Sequence, residues 1–349
     1  MISRTSMRVA VVRLTSLGDV VHTLPVAAAL RRYRPNDEIV WIVEEHEQQL
    51  LLGNPCVDHV LTAPLRRWRR LCTTGRIRRV LTEIRAFHAA LRSFRVDAVL
   101  DVQGWGHKTS PIVALTRAPT RIGFSRAYAR DRLSPLFTTI HITPPPEARH
   151  VVDQNLALLG PLGIESPPAE FVLPPWPDAA KRVSGWLTAH RLRPRAFVAL
   201  LPSTRGRKKL WPVSGYAEVA RALTAATGLP IVVAGGPTDT SVLTGVATMA
   251  PGALVYAPEE IGDLAVLLSR ARAVVGNDTG PLHLAAAANV PALGLFGPTS
   301  GARNGPYGPT GHFIQSGTTR MTGISQAEVV EASLRMIEES PQASLQNRR

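Results

Sequence analysis

The sequence predicts an α/β protein built from two Rossmann-like, doubly wound domains facing an interdomain cleft. Three observations carry this. Short apolar runs alternate with helical stretches in both halves of the 349 residues, a pattern that implies parallel sheets with helices on both faces. A proline-rich segment separates the halves. Each half also has a polar, glycine-containing loop directly after its first strand, where ligands of such sheets bind.

The first half opens with a strand at Arg8–Arg13, a polar loop at Thr15–Asp19 and a helix from Val20 to about Tyr33. Strands follow at Ile39–Val43 and near Val57–Leu61, then a basic helical stretch from Arg76 to Phe94 and a strand at Ala98–Val102. Pro144–Pro146, Pro167-Pro168 and Pro174-Pro175-Trp176-Pro177 bracket a helix at about His150–Leu159, and proline clusters of this kind punctuate domains. The expected division is 1–172, 173–340 and a polar, frayed tail at 341–349.

The second half repeats the grammar. A strand at Phe197–Leu201 runs into the basic loop Pro202–Lys209, and a helix follows from Pro212 to about Ala226. Next come a strand at Pro230–Ala234, a Gly235-Gly236-Pro237 turn, a helix to about Met249 and a helix at Ile261–Arg270. A strand at Ala273–Val275 ends in Gly276-Asn277-Asp278-Thr279-Gly280. A helix at Pro281–Ala288 and a strand at Ala292–Phe296 complete the expected sheet.

Composition narrows the function classes. Cys56 and Cys72 stand in no metal-ligand or redox spacing, a usage suited to a reducing cytoplasm. No export signal opens the chain, because Val9–Val12 is cut by Arg13 and Gly18-Asp19. The most apolar later stretch, Pro281–Phe296, is interrupted by His283, Asn289 and Pro291 and is shorter than the ~20 apolar residues of a membrane span. The formal net charge is +14, and residues 66–95 hold ten arginines against the single acid Glu83. Arginine's planar fork suits phosphate and carboxylate, so an anionic partner fits, as does an ordinary solvated surface. The chain carries no nucleic-acid recognition module.

Three loops are candidates for chemistry. In Thr15-Ser16-Leu17-Gly18-Asp19-Val20-Val21-His22, Gly18 permits a tight turn, and the following amides and helix N-terminus can hold an anion. Asp19 is placed either as a helix N-cap or as a general base for an acceptor hydroxyl, with His22 one turn on to orient it. Ser203-Thr204-Arg205-Gly206-Arg207-Lys208-Lys209 brings hydroxyls, amides and cations to the end of a strand, as a diphosphate requires. It lacks the spacing of a P-loop. Lys209 is the candidate to neutralise a leaving diphosphate. In Asn277-Asp278-Thr279-Gly280-Pro281-Leu282-His283, amides at 279–282 face an anion, and Asp278 either organises the turn or reaches a sugar hydroxyl. No Gly-x-Gly-x-x-Gly follows the first strand, and neither an Asp-x-Asp pair nor a His-Glu-x-x-His motif occurs, so neither dinucleotide redox chemistry nor a catalytic metal is expected.

At these residues the chain resembles family 9 of the glycosyltransferases, the ADP-heptose:lipopolysaccharide heptosyltransferases. The likeness runs from Met7-Arg8-Val9 through Ser16–Pro25, Trp41–Glu45 and Asp101-Val102-Gln103-Gly104 to Lys209-Leu210-Trp211-Pro212, Asn277–Leu284 and Leu295–Thr299. Arg66-Arg67-Trp68-Arg69-Arg70 and Val43-Glu44-Glu45 are most like the heptosyltransferase I branch, which adds the first heptose to the Kdo of lipid A.

The resemblance implies a GT-B fold, with acceptor bound by the first domain and ADP-heptose by the second. It implies inverting transfer without metal or cofactor, by a monomer at the cytoplasmic face of the inner membrane that binds no nucleic acid. Carried over by position, it makes Asp19 and Lys209 catalytic. Ser203, Thr204, Lys209, Asp278, Thr279, Gly280 and His283 become donor contacts. Ser16, Gly18, His22, Arg66, Arg67, Arg69, Gln103, Lys108 and Arg130 become acceptor contacts, and Trp68 is expected to dip into the lipid interface.

The chain departs from the family in three places. One extra residue precedes Lys108, Arg13 stands where a lysine is common, and Arg205–Lys208 is more basic. Alternatives are a heptosyltransferase II-like or protein-directed family member, and a nucleotide-sugar epimerase or hydrolase of the same fold.

Overall fold

The computed structural model describes residues 6–339, so the tail expected at 341–349 lies outside the described residues. The chain divides into two units, Met1–Pro175 and Trp176–Arg349. Neither contains, among the described residues, a helix long and apolar enough to cross a membrane.

The first unit runs β1 (Arg8–Val12), α1 (Leu17–Val21), α2 (Leu24–Tyr33), β2 (Glu38–Val43), β3 (His59–Thr62), α3 (Leu65–Thr73), α4 (Ile77–Ser93) and β4 (Ala98–Asp101). It continues through α5 (Ser110–Thr116), β5 (Thr120–Phe124), β6 (Ile140–Ile142) and α6 (Val151–Ala157). The six strands form one parallel sheet in the order β3-β2-β1-β4-β5-β6. Runs such as Val9–Val12 and Ile39–Val43 are wholly apolar and buried, as strands covered on both faces must be.

The second unit runs α7 (Pro177–Ala189), β7 (Val198–Leu201), α8 (Val213–Thr227), β8 (Ile231–Ala234), α9 (Thr240–Met249), β9 (Leu254–Tyr256), α10 (Ile261–Ser269) and β10 (Ala273–Asn277). It ends with α11 (Gly280–Ala287), β11 (Ala292–Phe296), α12 (Gly301–Asn304), β12 (Gly311–Gln315) and α13 (Gln326–Glu339). Its parallel sheet, β12-β11-β10-β7-β8-β9, repeats the order of the first. Each unit's strand order therefore reverses at one point, between β1 and β4 and between β7 and β10. Crevices at the carboxyl ends of such strand pairs are the binding places of doubly wound sheets.

Several expectations need correction. The helix expected from Val20 starts at Leu17 and is interrupted at His22-Thr23 before α2 begins. The second sheet does not finish at Phe296, because β12 adds an edge strand and α13 packs behind it. Apolar periodicity gave no signal for α3, α5, β5, β6 and α7, which are short, or basic, or begin inside proline clusters. Trp68 is not an interfacial anchor. Its ring packs edge-on against Phe87 with centroids 5.7 Å apart, and its Nε1 donates to Glu83 at 3.0 Å, which turns it towards the core.

Candidate functional site

In the first unit, register sets Val12 opposite Asp101, so the first residues past β1 and β4 are neighbours. Arg13 uses this adjacency. Its buried guanidinium donates through Nη1 to the Val102 carbonyl at 2.8 Å and pairs through Nη2 with Asp19 Oδ1 at 2.5 Å. Asp19 Oδ2 accepts from the Ser16 amide and hydroxyl, both at 2.9 Å. Asp19 is thus the third residue of α1, in a capping box with Ser16 as N-cap.

Two earlier readings change accordingly. Asp19 is not the N-cap, and Gly18 lies within α1 without a left-handed φ. The anion at this five-residue helix is the Asp19 carboxylate itself, so its N-terminus is already occupied. Burial pushes the Asp19 carboxyl up, but the Arg13 charge and the Ser16 hydrogen bonds outweigh it and hold the group below the ordinary carboxylate value. The carboxylate remains about one-third exposed, and Oδ1, which accepts from Arg13 alone, has a second lone pair for a ligand hydroxyl.

The loop after β4 is built around a buried acid. Asp101 accepts from the Gly104 amide at 2.9 Å, the Thr109 hydroxyl at 3.2 Å and the Ser134 hydroxyl at 3.3 Å. Burial nevertheless raises its pKa. Gly104 has φ +57°, a backbone conformation that favours glycine, and its carbonyl accepts from the Arg130 amide at 3.1 Å. Gln103 accepts through Oε1 from the Leu14 amide at 2.9 Å, while its buried Nε2 has no hydrogen-bond partner among the described residues.

The same loop carries a cationic cluster. Lys108 Nζ lies 3.6 Å from the centroid of the Trp105 ring, and the Arg130 guanidinium lies 4.2 Å from it. Burial first, then the neighbouring charges of Arg130, Arg66 and Arg69, lower the Lys108 pKa against an opposing pull from Glu44. The sequence-predicted Arg66, Arg69, Lys108 and Arg130 are therefore close enough to feel one another. Arg67 is different. It is bound to Glu45 at 2.7 Å and Glu83 at 3.2 Å, so its charge is already matched. His22 is buried, with its ring edge-on to His150 at 5.3 Å and its carbonyl bonded to Asn155.

The second unit uses the same device with different residues. Gly276 registers with Leu201, and Asn277 Nδ2 donates to the Pro202 carbonyl at 2.7 Å while its Oδ1 accepts from the Trp211 amide at 3.1 Å. Thr204 Oγ1 donates to the Asp278 carbonyl at 3.0 Å. Asp278 Oδ2 then accepts from Lys209 Nζ at 2.5 Å and from Thr299 Oγ1 at 2.7 Å, and Oδ1 lies 3.7 Å from His283 Nε2. Burial disfavours this carboxylate, but His283, Lys209 and Thr299 together hold its pKa well below the usual carboxylate range.

Of the amides expected at 279–282, Pro281 has none and that of Leu282 returns to the Thr279 carbonyl at 3.2 Å. Thr279 is the N-cap of α11 without a side-chain cap bond, so the anion-facing donors reduce to Thr279 and Gly280. Ser203 Oγ, just past β7, is buried without a hydrogen-bond partner among the described residues. Asp278, Lys209, His283 and Thr204 come together as expected residues. Arg13, Asp101, Trp105, Asn277 and Thr299 were not singled out as site residues. For Arg13 and Asn277 a signal existed, since each is a polar residue ending an otherwise apolar buried run.

The model of the glycosyltransferase family 9 (heptosyltransferase) domain matches residues 84–331. The chain is 29% identical to lipopolysaccharide heptosyltransferase 1 of Salmonella typhimurium, over 86% of this chain and 92% of the relative. The solved Escherichia coli heptosyltransferase WaaC with ADP superposes with a TM-score of 0.79 at 25% identity, covering 95% of this chain and all of that one. The same enzyme with ADP-2-deoxy-2-fluoro heptose gives 0.76 at 25% identity, covering 94% and 99%. The two Rossmann-like units are thus those of the GT-B fold.

Replacing Arg13 with Gln should shift the acid limb of any Asp19-dependent pH profile upward. The sign follows from the depressed pKa: the ion pair contributes stability above the unfolded-state pKa and loses it as pH falls through the folded one. We expect the variant to lose about 1–3 kcal/mol at neutral pH, less than a fully buried pair because Asp19 reaches solvent. Urea unfolding at pH 7 and pH 3 checks this, and a deficit of equal size at both would contradict it.

Proposed function

The chain belongs to glycosyltransferase family 9, the heptosyltransferases, and on that premise we propose its reaction. A heptose passes from ADP-heptose to the Kdo–lipid A inner core of lipopolysaccharide, in one metal-independent displacement with inversion and without a cofactor. The enzyme acts as a monomer at the cytoplasmic face of the inner membrane, with no part for nucleic acid. The first unit takes the acceptor and the second the donor. The observation that carries this reading is the hydrogen-bonded Asp278–Lys209 pair beside Thr279-Gly280, an arrangement that can hold a diphosphate.

The step is balanced within the chain's own groups. An acceptor hydroxyl attacks the anomeric carbon as the bond from that carbon to the diphosphate oxygen breaks, and the hydroxyl proton passes to Asp19. Arg13 makes Asp19 a weak base that is fully ionised at neutral pH. Such a base suits late proton transfer, when the attacking oxygen has become acidic by forming its new bond. Lys209 turns from Asp278 to the departing diphosphate, whose charge also meets the Gly280 amide and the hydroxyls of Ser203 and Thr279. Preorganised donors of this kind supply a large part of transition-state stabilisation. Asp278 keeps its bonds to Thr299 and His283 while Lys209 moves.

Heptosyltransferase I chemistry is favoured by the Arg66, Arg69, Lys108 and Arg130 cluster, which suits carboxylates and phosphates. Arg69, Lys108 and Arg130 have no acid partner within the chain among the described residues. Trp105 holds two of these cations against one ring, which keeps like charges together where a bound anion would offset them.

Mass spectrometry after incubation with ADP-heptose and either Kdo-bearing or Kdo-free acceptors should find heptose added only to the former. Asp19→Asn should lower kcat about 10²- to 10⁴-fold, the range of general-base assistance, with donor affinity unchanged. In the same assay Arg69→Ala and Arg130→Ala should each raise the acceptor KM about tenfold, the loss of one charge-assisted bond. Arg67→Ala should raise it less. A folded Asp19→Asn enzyme with wild-type turnover removes Asp19 from the mechanism.

A further inference from the structure

We propose that the helical layer of the first unit made by α4, α5 and the turn of 3-10 helix at Ser134–Phe137 is a docking surface for an anionic lipid bilayer. Among the described residues, twelve large apolar side chains are exposed, and six of them belong to this layer. Ile77, Leu81 and Ile84 recur at helical spacing along α4, with 49%, 47% and 37% exposure. They lie beside the core-facing stripe of Val80, Phe87 and Leu91 rather than within it. Leu115 continues the layer on α5, which packs on both α4 and the 3-10 turn. Leu133 and Leu136 end it at 56% and 77% exposure. A single exposed leucine needs no explanation, but a band running through three packed elements does.

Charge selects the occupant. Arg78, Arg85 and Arg92 follow one another at intervals of seven, so they form a row along α4 next to the apolar stripe. All three are exposed, and no acid pairs with their guanidinium groups among the described residues. Arg79, off this row, is tied to Glu83. An apolar stripe bordered by uncompensated arginines is the pattern of a helix lying in the interface of an anionic membrane, its apolar side chains among the acyl chains and its cations at the headgroups. A protein partner would need matching acids and a shaped apolar face. A bilayer needs only the sign of charge and the depth of the side chains.

The surface is continuous with the site. Leu133 follows Asp131, whose carboxylate holds the Gly106 and Ser134 amides and so anchors the loop of Trp105 and Lys108. The proposal rests on the acceptor being an anionic glycolipid, since an acceptor embedded in a bilayer obliges the enzyme to meet it there. It also corrects the interfacial role first given to Trp68: the exposed apolar side chains of the neighbouring helix take that place.

The test uses the full chain and vesicles of phosphatidylglycerol and phosphatidylethanolamine that contain neither donor nor acceptor, so binding is read independently of the reaction. The wild type should co-sediment with these vesicles at low salt, at least tenfold more strongly than with neutral phosphatidylcholine vesicles, and less as salt is raised. Ile77→Ser/Leu81→Ser/Ile84→Ser and, separately, Arg78→Glu/Arg85→Glu/Arg92→Glu should each weaken binding at least tenfold. Leu136→Ser, in another element, should weaken it severalfold. All should keep the wild-type thermal midpoint and kcat/KM on a deacylated, water-soluble Kdo acceptor.

Equal binding to neutral vesicles, or variants that bind as the wild type does, would overturn the proposal. So would sedimentation showing that the apolar triple variant converts a dimer to a monomer, because the stripe would then be covered by a second copy. Vesicle binding without turnover of the soluble Kdo acceptor would leave the docking surface standing and remove the acceptor assignment instead.

Discussion

The ion pair between Arg13 and Asp19 is the interaction on which the first unit's site depends. Arg13 directly follows β1, whose last four residues are buried and apolar, and a guanidinium there must find partners for its charge and its donors. It finds the Val102 carbonyl past the adjacent strand and the carboxylate of Asp19. One side chain therefore sets the spacing of two loops, the direction of a carboxylate and the protonation state of that carboxylate. The burial of Arg13 makes the arrangement stiff, because its guanidinium cannot lose Asp19 without being left as an unpaired buried charge.

The second unit reaches the same result with a neutral clamp and a charged hub. Asn277, at the end of β10, bridges to the carbonyl just past β7, as Arg13 past β1 bridges to the carbonyl past β4. Because Asn277 carries no charge, the cation arrives from elsewhere, on Lys209, and Asp278 gathers it with Thr299 and His283. The contrast has a functional reading. In the proposed reaction, a fixed cation beside Asp19 keeps the base ionised, whereas a cation on a long side chain in a polar loop can leave its carboxylate for a diphosphate. Two units of one strand order thus place different electrostatics past their paired central strands.

The fold and the outline of the site were legible in the sequence for a physical reason. Parallel strands covered on both faces must be continuously apolar, and the loops after them interrupt that pattern with glycine and polar residues. The strands around Arg13, Gln103, Ser203 and Asp278 are all of this kind. Elements whose stability comes from context were not legible. α3 has four arginines in nine residues, and its place is fixed by Trp68, Leu71 and the acids Glu45 and Glu83, which no local pattern shows. The same limit explains Asp19: its place at a helix start allowed an N-cap or a base, and only the bonds from Ser16 and Arg13 show it as the closing partner of a capping box and an ionised acceptor.

The claim joining both halves of this account is a single displacement, with Asp19 receiving the proton and the Lys209 loop receiving the diphosphate. Proton NMR of the glycosidic product, compared with the anomeric configuration of the ADP-heptose supplied, tests it most directly. The account predicts complete inversion at the anomeric carbon. Retention would require a second displacement and would contradict it.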